Sequence, residues 1–80
     1  MLDNDIQMFN LLFKVIQKVD ENAEIQVHKT LKAYKIIILP SKQVKKALVS
    51  EIEELSFILG DVFEFSKTLE FTQNITLFTK

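Results

Sequence analysis

Eighty residues, 48% of them hydrophobic and with only one glycine and one proline, suit one folded domain over 1–80 and leave little scope for disorder. A formal net charge of −1 favours neither a polyanionic nor a polycationic partner. The absence of cysteine excludes disulfides, thiolate metal sites and thiol nucleophiles.

The first element expected is a helix over residues 5–20. Asn4 can cap it, Gln7 stands three residues later as in a capping box, and Asp3 and Asp5 suit the positive helix end. Ile6, Phe9, Leu12, Phe13 and Ile16 form a stripe at helical spacing. Met8, Leu11, Val15 and Val19 widen that stripe beyond the usual apolar arc, so the helix calls for burial on two sides.

Residues 24–39 read as extended, with Ile25, Val27, Leu31, Ala33, Ile37 and Leu39 on odd positions forming the apolar face. The run Ile36 to Leu39 is apolar on both faces, as in a central strand. The alternation weakens around Lys29–Lys32, where a hairpin fits although no glycine, asparagine or proline marks its turn. One strand or two therefore stays open here.

A second helix is expected over 42–59. Pro40 ends the strand, Ser41 is placed as N-cap, and Gly60 stands where a left-handed C-terminal cap belongs. Val44, Leu48, Ile52, Leu55 and Leu59 recur at spacings of three and four, flanked by Ala47 and Ile58.

In the last segment Phe63, Phe65, Leu69, Phe71, Ile75 and Leu77 all occupy odd positions. An odd-length loop preserves that parity and a two-residue loop would reverse it. Of two three-residue candidates, Ser66-Lys67-Thr68 would make β-branched Thr68 left-handed, so the turn is expected at Thr72-Gln73-Asn74 with Asn74 left-handed. The expected architecture is α+β in the order α-β-(β)-α-β-β. It has an antiparallel sheet of three to four strands and both helices on one face.

Nothing in the chain supports catalysis, and the reading is non-enzymatic. The lone His28 falls on the polar side of its strand, without a partner to orient it as a general base. Glu51, Glu53 and Glu54 have no histidine at metal-ligand spacing, so no metal is expected, and one glycine cannot build a phosphate loop or a cofactor cradle. Asn74-Ile75-Thr76 matches a glycosylation acceptor that means nothing without a secretory signal, and the N-terminus shows none. No apolar run approaches the roughly 18 residues of a membrane span.

Charge order is the most informative feature. Residues 25–50 hold no acid but carry His28, Lys29, Lys32, Lys35, Lys42, Lys45 and Lys46, with acidic segments on either side. In the second helix, lysines at the start and Glu51, Glu53 and Glu54 further on both oppose the macrodipole, and no Lys–Glu pair stands three or four apart. Exposed charges are weakly constrained, which is the plainest explanation. Self-association explains more. Two antiparallel copies would set Lys42, Lys45 and Lys46 of one against Glu51, Glu53 and Glu54 of the other. The surplus face of Met8, Leu11 and Val15 adds apolar contact for a homodimer or a different protein partner. So small a fold removes only about 60% of the unfolded chain's surface, which makes oligomerisation a common remedy.

The alternative is weak, sequence-independent nucleic-acid or anion binding by Lys29, Lys32, Lys35, Ser41, Lys42, Lys45 and Lys46. It is disfavoured because the chain has no arginine for bidentate base contacts and is acidic overall. Reliance on packing alone suits a cytoplasmic protein. Lysine-only basic usage with abundant Ile, Phe and Asn reflects AT-rich coding, such as that of a low-GC bacterium or its phage, where small proteins of this kind inhibit or redirect a host factor.

Overall fold

The structure, a computed structural model, describes residues 3–67 and 72–80. Its elements run α1 (Asp3–Val19), β1 (Glu24–Lys29), β2 (Tyr34–Leu39), α2 (Lys45–Ile58), β3 (Phe63–Phe65) and β4 (Ile75–Thr79). The four strands form one antiparallel sheet in the order β1-β2-β4-β3, so the expected α+β fold holds and residues 24–39 are two strands.

Both helices pack on one face of this sheet. Phe9, Leu12 and Ile16 from α1 and Leu48, Ile52 and Leu55 from α2 close over Ile36, Ile38, Phe63, Ile75 and Leu77. Ile36 lies opposite Leu77 and Ile38 opposite Ile75, so the two central strands meet at the middle of the core. Burying each such side chain stabilises the fold by about 1.5–3 kcal/mol before entropy is counted. Tyr34 meets Phe9 edge-on at 5.2 Å between ring centroids, which joins the end of β2 to α1. Ile6, expected in the α1 stripe, is exposed one turn before the core begins.

The β1–β2 hairpin corrects the expected face. Lys29 pairs with Tyr34, and the turn Thr30–Ala33 is clamped by Thr30 N to Ala33 O (2.8 Å) and Ala33 N to Thr30 Oγ1 (2.9 Å). An even-numbered loop joins residues of opposite parity. The core face therefore moves from Ile25 and Val27 on β1 to Ile36 and Ile38 on β2. Ile37 and Leu39 fall on the opposite face, and Leu31 stands on the turn at 104% exposure.

At the C-terminal end the parity argument holds but the turn does not. Phe63 pairs with Thr79 and Phe65 with Leu77, and Ser66 N donates to Thr76 O at 2.9 Å. This register is centred two residues earlier in the chain than a turn at 72–74 would require. The start of β3 is tied to α2: the buried Ser56 hydroxyl accepts from Phe63 N at 3.0 Å. Asn74 is not left-handed, since Asp61 is the one non-glycine residue at positive φ among those described. Leu69 and Phe71 lie outside the described residues.

The helix ends divide similarly. Asn4 lies within the first turn of α1 rather than before it. α2 starts at Lys45, three residues later than expected, with Val44 at its N-cap and no side-chain capping bond. Its other end is as expected. Gly60 sits at φ 94° and donates to Phe57 O (3.1 Å), while Asp61 N donates to Ser56 O (2.7 Å), a Schellman closure.

Candidate interaction surface

Leu48, Ile52 and Leu55 turn inward from α2, so Lys46, Ser50, Glu53 and Phe57, at i, i+4, i+7 and i+11, form a stripe on the opposite side, all exposed. Phe57 is 83% exposed, and its neighbour Ile58 is 69% exposed. For two large apolar side chains on successive helical positions this is a substantial desolvation opportunity left unused within the chain. Toward the start of the same helix a shallow apolar groove is lined by Gln43, Val44, Lys46, Ala47, Val49 and Ser50. Groove and phenylalanine share one outward surface, separated along the helix by about 15 Å at 1.5 Å per residue.

The charges fall unevenly on this surface. Lys46, Glu53 and Glu54 are exposed, whereas Glu51 is half-buried on the flank. Lys42 is exposed in the turn before the helix. Lys45 is half-buried, and its ammonium donates to Thr72 O at 3.0 Å, which attaches α2 to the β3–β4 connection. The first turn of α2 contains no acid and the last no base, so the helix dipole is uncompensated within its own ends.

The surplus stripe of α1 is mostly used internally. Met8 and Val15 are half-buried against the core. Leu11 stays 40% exposed on the rim of a second groove, with Met8, Tyr34, Leu59 and Val62 around it, where α1 begins, α2 ends and the β1–β2 hairpin turns.

Of the lysines in the alternative reading, Lys29, Lys32 and Lys35 do not gather on one face. Lys29 lies on the helix side of β1, its Nζ 5.4 Å from the centre of the Tyr34 ring. Lys35 points from the opposite face of the sheet beside His28, and Lys32 stands on the hairpin turn. Ser41, expected to help hold an anion at the start of α2, already serves one belonging to the chain. Asp20, buried at 1% exposure, accepts from Ser41 N (2.7 Å), Ser41 Oγ and Asn22 N (3.3 Å). The Ser41 hydroxyl above all holds the Asp20 carboxyl below the usual carboxylate range. The Ser41 and Asn22 amides and the charge of Lys42 assist against the opposing effect of burial.

Phe57 was missed by sequence reasoning, although a signal existed: it falls outside the Val44–Leu59 stripe, on the arc occupied by Lys46 and Glu53. Among the described residues no three His, Asp or Glu side chains gather where they could hold a metal. No helix formed by those residues is long and apolar enough to cross a membrane. Comparison with protein-family models, curated proteins and solved structures found no match.

Proposed function

We propose that this protein acts by protein–protein contact, as a homodimer joined through antiparallel α2 helices, and that it binds or inhibits a partner protein. The observation that carries the reading is the exposure of Phe57 and Ile58 beside an apolar groove on the same helix. With a two-fold axis at Ser50, Phe57 of each copy reaches the Gln43–Val44–Ala47 groove of the other. Lys46 then stands opposite Glu54, with Glu53 beside it. The arrangement is self-complementary, as a two-fold contact must be. It sets each positive helix end against a negative one, and the small Ser50 side chain permits close approach at the crossing.

The absence of cysteine supports a cytoplasmic setting, and the AT-rich residue usage supports a phage or low-GC bacterial origin. Anion or nucleic-acid binding is the second reading, weakened by the dispersal of Lys29, Lys32 and Lys35 and by the occupation of Ser41.

The chain has no cysteine, so a single engineered one gives an unambiguous crosslink. Ser50→Cys is expected to form a disulfide-linked dimer on mild oxidation, since residues at the crossing meet the required Cα separation of about 4.4–6.8 Å. Adding Phe57→Glu should abolish that crosslink without changing the circular dichroism. A Ser50→Cys protein that stays uncrosslinked, or one that crosslinks equally with Phe57→Glu, overturns the proposal.

A further inference from the structure

β1 is an edge of the sheet, six residues long, and no described strand pairs with its outer side. The other edge, β3, is blunted by its length of three residues. Long edges are usually defended by inward charges, proline or a bulge, because free N–H and C=O groups attract another strand. β1 has no proline, and its pairing with β2 runs unbroken from Glu24 to Lys29. Its one positive charge on the core side, Lys29, sits at the end.

The side of the free groups follows from the hairpin. Thr30 N bonds Ala33 O, so Thr30 and, by alternation, His28, Gln26 and Glu24 point their main-chain groups at β2. Ile25, Val27 and Lys29 point theirs outward. Side chains alternate as well: Ile25 and Val27 lie on the core side, with Val27 still 38% exposed, and Glu24, Gln26 and His28 lie on the open face.

We propose that β1 pairs with β1 of a second copy, antiparallel and centred on Gln26. Ile25 of each copy then exchanges both main-chain hydrogen bonds with Val27 of the other, and their side chains meet on the core side. On the open face Glu24 meets His28 of the second copy, with Lys35 beside it. A slip of two residues toward Val27 would set Ile25 against Lys29, and a slip the other way would set Ile25 against Ile25 and Glu24 against Gln26. Both lose the Glu24–His28 pair, which favours the register centred on Gln26. The surface is independent of the α2 contact. The Ser56–Phe63 hydrogen bond places the C-terminal end of α2 toward β3, at the opposite edge of the sheet. At concentrations where both contacts form, the α2-linked homodimers join through β1 into larger assemblies.

In the Phe57→Glu background, which removes the α2 contact, Gln26→Cys is expected to crosslink. Opposed residues of a non-hydrogen-bonded pair approach to about 4.5 Å between Cα atoms. Adding Val27→Pro removes an outward N–H without touching the β1–β2 ladder and should eliminate the crosslinked species. His28→Glu, on an exposed position, should do the same by repulsion from Glu24, and Glu24→Lys added to it should restore crosslinking. In sedimentation the wild type grows in mass with concentration, and Phe57→Glu and Val27→Pro each stop at a dimer. A Gln26→Cys protein that stays monomeric, or crosslinks unchanged after His28→Glu, overturns the β1 pairing. A monomeric Val27→Pro protein overturns the α2 contact instead, so the two failures are distinguishable.

Discussion

Asp20 accepts hydrogen bonds from both the amide and the hydroxyl of Ser41, twenty-one residues further along the chain. One carboxylate thereby fastens the end of α1 to the turn that leads into α2. It also explains why α2 starts late: the hydroxyl expected to cap the helix is engaged elsewhere, and Val44 takes the N-cap without a side-chain bond.

This pair gives the fold an acid dependence of known sign. The folded-state pKa of Asp20 is lowered, so ionised Asp20 favours the folded chain. The contribution is complete above the unfolded aspartate value of about 3.9 and disappears as pH falls through the still lower folded value. Asp20→Asn should lower the thermal midpoint at pH 7, and the gap from wild type should narrow below pH 4. A gap constant from pH 7 to pH 2 would contradict the assignment.

Leu12 and Ile6 belong to one helical stripe in sequence but not in the fold. Leu12 is fully buried and Ile6 is 44% exposed. Leu12→Ala should therefore cost about 2–5 kcal/mol in chemical denaturation. Ile6→Ala should stay within about 0.5 kcal/mol.

Gly60 closes α2 in a left-handed conformation at φ 94°, with open space where a Cβ would be. The cost of Gly60→Ala is thus conformational rather than steric, about 1–2 kcal/mol by equilibrium unfolding. Gly60→Asn should cost less, because asparagine tolerates this region.

Lys46→Glu separates folding from assembly. An acid in the first turn complements the helix dipole and should stabilise the isolated fold by about 0.3–1 kcal/mol at low salt. The same change sets a carboxylate against Glu54 of the second copy and should weaken the Ser50→Cys crosslink. Adding Glu54→Lys should restore it. Assembly and stability moving together would refute the charge pairing.

Much of the fold was legible because it is written in short-range terms. The Leu48–Ile52–Leu55 stripe, the Gly60 stop and the odd parity of Phe63, Phe65, Ile75 and Leu77 each follow from a local period or a backbone preference. The site was legible only in part. The opposed lysines and glutamates of α2 were visible, but Lys45 turns to Thr72, Met8 and Val15 turn to the core, and Phe57 emerges as the most exposed aromatic side chain described.

The sequence alone determined the kind and order of the elements, the C-terminal stop of α2 and an α+β class, because periodicity and left-handed preference act within a few residues; whether residues 24–39 made one strand or two it left open. Tertiary structure decided that β2 and β4 lie at the centre, that Ser56 holds the start of β3, and that Ser41 answers Asp20 rather than a helix end. Those outcomes are competitions between partners far apart in the chain. Each polar group chose the bond that burial made most costly to leave unmade.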